Sequence, residues 1–189
     1  MASILKPAPR WLSVLLVVAY SAVFSAGVRV AFASGVHAGT PPLRLALHAL
    51  CTVYAVELLL SLQNLCAMAG GWTFRELLFH HGLYIAGVQV LIINDDRWAP
   101  ALAVSLLTAA NEAALIAEAL GAPPAIAALR RLYGFSIVSV LAATEVRCYV
   151  AVATAAPRLV ATHAPLLAIG FHLDLLRMYV RRWARTRHI

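Results

Sequence analysis

The sequence predicts an all-α polytopic membrane protein, a bundle of six transmembrane helices. Three observations lead there. The 189 residues are 62% apolar and 12% charged, where a soluble domain is about half apolar and about a quarter charged. Six windows recur with roughly 20 apolar residues each, the length that crosses a ~30 Å hydrocarbon core at ~1.5 Å per residue. Basic residues gather at alternate ends of those windows, as they do in chains that obey the positive-inside rule.

The windows are 11–33, 43–67, 76–94, 98–120, 132–156 and 159–181. The first follows a basic start, "MASILKPAPRWLSVLLVVAYSAVF", and its apolar run is too long for a cleaved signal sequence, so it reads as a retained span. Turn-formers separate the rest: Gly39 with Pro41 and Pro42, Gly70 with Gly71, Asn94 with Asp95 and Asp96, Gly121 with Pro123 and Pro124, and Pro157. No Ser- or Pro-rich linker divides the chain, which predicts a single membrane domain over 1–189.

An even number of spans puts both termini on one side of the membrane. That side then holds Lys6, Arg10, Arg75, Arg130, Arg131, Arg181, Arg182, Arg185 and Arg187, against Arg44, Arg97 and Arg158 on the other. The asymmetry predicts termini on the cytosolic, matrix or stromal side. The acid-free start suits either the endoplasmic reticulum or an organelle inner membrane, a mitochondrial one included.

The net charge of +7 does not point to nucleic acid, because its cations sit at span ends and in the tail. In "RMYVRRWARTRHI", Arg181, Arg182 and Arg185 read as a helix end meeting anionic lipid headgroups. Cys51, Cys66 and Cys148 are well separated, lack CxxC spacing and lie in apolar segments, so they read as small buried apolar groups.

Ionisable side chains inside spans cost roughly 2.5–3.5 kcal/mol on insertion scales and therefore face the bundle interior or a wet cavity. Here they are Glu57, His80, His81, Asn111 with Glu112, Glu145 with Arg147, and His172 with Asp174 and Arg177. Counting along each window brings His80, His81, Glu57, Glu112 and Asp174 to nearly one level, and puts Glu145 and Arg147 deeper. Adjacent helical residues point about 100° apart, so one of the two histidines can face a cavity while the other bonds a neighbouring helix. Tyr84, four residues after His80, shares its face. Glu145 and Arg147 point to nearly opposite sides, whereas Asp174 and Arg177 are spaced to pair.

Two readings fit this polar layer. In one, the carboxylates, imidazoles and arginine only satisfy one another. In the other, they line a chamber, with imidazoles able to move protons. A metal site is the weaker reading. Consecutive helical histidines do not easily chelate one ion, and no HxxxH or ExxH spacing accompanies them, which leaves a dispersed set of Glu57, His81 and Glu112. No phosphate loop, GxSxG or haem-attachment motif is present, and no cofactor is expected. A proton-coupled transporter would fit the buried acids, but the chain lacks inverted repeats with matching broken helices.

The stretch "YAVELLLSLQNLCAMAGGWTFRELLFHHGLYIAG" resembles the aromatic-plus-acid helix, polar turn and double-histidine helix of the TLC-domain family, which contains ceramide synthases and the translocon-associated TRAM proteins. Tyr54 and Glu57 stand for the first element and His80 and His81 for the last. Downstream, "NEAALIAEAL" is similar to the family helix with an acid, here Glu112, and "LYGFSIVSVLAATEVRCYV" to the helix ending in an arginine, here Arg147. The resemblance covers about residues 43 to 180.

It implies a TLC-like bundle whose polar cavity, including Glu57, Tyr84, Asn111, Glu112, Glu145, Arg147, His172 and Asp174, binds membrane lipid. The work implied is lipid handling, or service as an accessory subunit among other membrane-protein subunits. The rival activity is acyl transfer from acyl-CoA, with His80 or His81 as general base and Glu112 or Asp174 orienting it. The chain departs from ceramide synthases by having Phe79, Gly82, Leu83 and Tyr84 around the histidines in place of acidic residues, and Ala113, Ala114 and Leu115 after Glu112. Those departures weigh against acyl transfer, since fold alone does not carry function.

Overall fold

A computed structural model describes residues 9–33, 35–37, 39–62, 74–94, 96–155 and 164–186, and all regular structure among them is helical. The helices are α1 (Arg10–Ala31), α2 (Pro41–Leu62), α3 (Phe74–Asn94), α4 (Ala99–Leu107), α5 (Ala109–Ala119), α6 (Pro124–Ala155) and α7 (Ala164–Thr186). Four segments are long and apolar enough to cross a membrane: α1, α2, the run Asp96–Ala119 that includes α4 and α5, and α6. Many of their outward residues are large and apolar, including Trp11, Leu15 and Val18 on α1, Leu45 and Leu59 on α2, and Leu129 and Val150 on α6. Such a surface suits hydrocarbon better than water.

Each helix turns a narrow stripe inward. On α2 the buried residues are Leu43, Ala46, Leu47, Leu50, Cys51, Tyr54, Glu57, Leu58 and Ser61. On α1 they are Ser13, Leu16, Tyr20, Val23, Gly27 and Val30. Recurrence every three or four residues keeps one face toward a neighbouring helix along the whole length. The α4–α5 run is the most enclosed, packing against α1 and α6, with α2 also touching α4. Around it, α2 packs on α1 and α3, and α7 closes the ring between α3 and α6.

Proline opens several of these helices. Pro41 begins α2, Pro124 begins α6 and Pro100 lies in the first turn of α4, positions where the missing N–H has no helical partner to lose. The turn between α5 and α6 is a glycine-dependent cap. Gly121 has φ +93°, its N–H bonds the carbonyl of Glu118 at 3.0 Å, and Ala122 N–H reaches back to Ala117 at 3.0 Å. That pair of bonds satisfies carbonyls the helix end would otherwise strand.

Gly27 sets the distance between α1 and α4. A Cβ built on it would stand 2.6 Å from Leu106 Cβ and 3.3 Å from the Leu106 carbonyl carbon. In lipid, helices gain little by hiding apolar surface from each other, so close approach over small residues supplies much of the packing energy.

The fourth window differs from its sequence expectation of one helix over 98–120. It opens with a 3₁₀ turn, Asp96–Trp98, and is broken at Thr108. The Thr108 hydroxyl donates to the Ser105 carbonyl at 2.6 Å, Thr108 N–H bonds the same carbonyl at 3.1 Å, and Asn111 N–H bonds Thr108 O at 2.9 Å. This tightened turn takes Asn111 N–H from its usual partner, Leu107 O. The Tyr133 hydroxyl on α6 donates to Leu107 O instead, at 2.7 Å. The fifth window also begins earlier than expected, at Pro124 rather than 132.

Candidate functional site

The polar groups of the bundle fall into three linked sets. The first is sealed between α1, α2 and α3. The Tyr20 hydroxyl donates to Glu57 Oε2, and His81 Nδ1 lies 3.5 Å from the same oxygen. The Tyr54 ring lies flat on the His81 imidazole, with centroids 3.9 Å apart and planes 9° apart. His81 is 1% exposed and Tyr54 is fully buried, so nothing outside the bundle reaches this imidazole.

In the second set, His80 turns the other way, as the helical rotation between neighbours requires. Its Nε2 lies 3.9 Å from Glu112 Oε1 on α5, and its ring stacks on Phe171 of α7 with centroids 4.9 Å apart. The third set joins α6 and α7: His172 Nδ1 and Glu145 Oε2 are 2.9 Å apart, and both residues are buried.

His80, Glu145 and His172 border one chamber of about 50 Å³. Tyr84 and Ser105 add hydroxyls to its wall, joined to each other at 2.8 Å, and Ser105 also donates to Leu102 O at 2.7 Å. Leu83, Val88, Trp98, Leu102 and Phe171 make the remainder largely apolar. Gly87 also lines it, and a Cβ added there would meet nothing within 4 Å. An ordered water needs about 10–15 Å³ of such volume, so the chamber accommodates a few waters or a small polar group.

Of the residues expected from the sequence, His80, Tyr84, Glu145 and His172 line the chamber, and Glu57, His81, Asn111 and Glu112 do not. Glu57, His80, His81, Tyr84, Asn111, Glu112, Glu145 and His172 are all buried or partly buried in the interior. Two are placed elsewhere. Asp174 is exposed, with a 65% exposed side chain whose Oδ1 lies 4.0 Å from Arg177, so it joins no interior level. The reason is helical rotation: Asp174 is about 200° round α7 from His172, which takes the inward place. Arg147 is exposed on α6 for the same reason, two residues from buried Glu145. The backbone of Arg181, Arg182 and Arg185 lies in α7, and their side chains are outside the described residues, as is Cys66.

The structure adds residues that the sequence reading passed over: Tyr20, Ser105, Trp98 and Phe171. Tyr20 had a signal, since it falls on the buried stripe of α1 with Leu16, Val23 and Gly27. Four buried polar atoms lack a hydrogen-bond partner among the described residues: Tyr54 Oη, Ser61 Oγ, His81 Nδ1 and Asn111 Oδ1. Among those residues, no three His, Cys, Asp or Glu side chains are grouped to hold a metal ion.

No known protein family, characterised protein or solved structure matches the chain. Imidazole beside carboxylate is suited to holding and moving protons and to gripping a polar group with both donors and acceptors. An otherwise apolar wall strengthens such contacts by keeping bulk water away.

Proposed function

We propose that this chain is a TLC-like integral membrane protein of six spans, with both termini on the cytosolic, matrix or stromal side. Its chamber receives the polar end of a membrane lipid, and the protein works in lipid handling, alone or as an accessory subunit of a larger membrane assembly. The observation that carries the reading is that His80, Glu145 and His172, from three helices, converge on one small chamber inside a bundle with an apolar exterior. A site this size takes a headgroup fragment, and the acyl chains would remain in the bilayer beside it.

Lipid analysis of protein purified in mild detergent tests this. A bound lipid species enriched over the host membrane, and lost when Gly87→Leu fills the chamber, is the expected result. Bulk-like lipid composition in both proteins would reject it.

In the rival reading, acyl transfer, the general base would be His80, which borders the chamber, and not His81, which Tyr54 covers. Acyl-CoA turnover that survives His81→Gln and disappears with His80→Gln would replace lipid handling by catalysis. No turnover in the unsubstituted protein would remove the rival.

A further inference from the structure

Two imidazole–carboxylate pairs, carried by four different helices, meet at the chamber. His80 of α3 faces Glu112 of α5 at 3.9 Å, and His172 of α7 faces Glu145 of α6 at 2.9 Å. Both imidazoles line the cavity and both pack on Phe171, at 4.9 Å and 5.4 Å between centroids.

Arg130 on α6 bonds Glu118 on α5 at 2.8 Å. The chamber joins two titratable stations, His80–Glu112 from α3 and α5 and His172–Glu145 from α7 and α6.

The volume between them suits water. About 50 Å³ admits on the order of three ordered waters, and the Tyr84 and Ser105 hydroxyls offer them partners on the wall. An imidazole presents its two nitrogens on different ring edges. His172, which engages Glu145 through Nδ1, can therefore exchange a proton through Nε2. The groups facing His80 are Tyr54 from α2, Glu112 from α5, Phe171 and His172 from α7, Glu145 from α6 across the chamber, and Tyr84 and His81 from its own helix. Glu112 in turn feels the positive charge of Arg130 on α6.

The geometry points to the chamber as a proton-exchange junction, in which water passes a proton between the His172–Glu145 pair and the His80–Glu112 pair. The step balances without any other reactant. The N–H bond of the His172 imidazolium breaks as a new O–H bond forms on the nearest water, and the water at the other end gives a proton to the His80 imidazole. One positive charge moves between stations, and the carboxylate at each station neutralises the imidazolium beside it. His81, sealed under Tyr54, takes no part. The junction belongs to the lipid-free state of the chamber; a lipid's polar end entering it would displace the water, so the two readings are tested separately.

The full chain, labelled with ¹⁵N-histidine and reconstituted in phosphatidylcholine vesicles, allows a direct test by solid-state NMR. His80→Gln and His172→Gln assign the signals. Magnetisation from water is expected to reach the rings of His80 and His172 and not that of His81. In Gly87→Leu the water transfer to both should fall severalfold. Gly170→Leu, at another glycine where an added Cβ meets nothing within 4 Å, should leave it unchanged. The junction is overturned if His80 and His172 in the unsubstituted protein receive no more water than His81.

Discussion

The imidazole of His81 lies parallel to the ring of Tyr54 at 3.9 Å, while its sequence neighbour His80 borders the central chamber. The pair "HH" therefore serves two purposes. His81 ties α3 to α2, and His80 presents a titratable group to whatever occupies the chamber.

The two histidines should separate in mutagenesis. His81→Ala removes a fully packed ring and leaves Glu57 with only Tyr20 as a described partner, so a loss of about 3–5 kcal/mol is expected. His80→Ala should cost less stability and affect occupancy of the chamber more. Thermal unfolding in detergent, with lipid binding measured in parallel, checks this. Equal destabilisation by both substitutions would contradict the division of roles.

Gly27→Val should loosen α1 from the broken fourth segment. Its Cβ would enter the space held by Leu106, including backbone 3.3 Å away, and overpacking of this kind costs about 1–3 kcal/mol. A lowered midpoint in SDS or thermal unfolding is the expected outcome. At Gly87, where an added Cβ meets nothing, alanine should leave the midpoint unchanged or raise it.

Tyr133→Phe tests the repair of the break at Thr108. It removes the donor that satisfies Leu107 O, and interhelical hydrogen bonds in membranes are worth about 0.6 kcal/mol on average and up to about 1.7. The loss should be accompanied by faster hydrogen exchange in the last turn of α4 and the first of α5. Unchanged exchange there would mean the carbonyl is satisfied in another way.

Gly121→Val should destabilise the turn between α5 and α6 by more than about 1 kcal/mol, because a β-branched residue is strained at φ +93°. Circular-dichroism melting of this variant beside Ala122→Val isolates the backbone effect.

Much of this arrangement was legible in the sequence. The all-helical class was legible and four of the apolar windows coincide with candidate spans, and the rotation between neighbours separated His80 from His81 and Glu145 from Arg147. The same rotation applied to His172 and Asp174 would have sent Asp174 outward; counting depth without rotation placed it inside. The break at Thr108 was not legible. It depends on one hydroxyl choosing a backbone carbonyl three residues back, and on Tyr133 arriving from another helix to compensate. The Glu145–His172 contact was equally hidden, because depth counts put Glu145 nearer the far leaflet and periodicity does not report which helices become neighbours.

The central claim is that the chamber bordered by His80, Tyr84, Glu145 and His172 receives the polar end of a lipid. A high-resolution density map of the full chain in a lipid nanodisc measures this directly. Density entering the chamber and reaching His80, continuous with an acyl chain outside the bundle, is the expected result. A chamber holding water alone, with lipid confined to the outer faces of the helices, would contradict it.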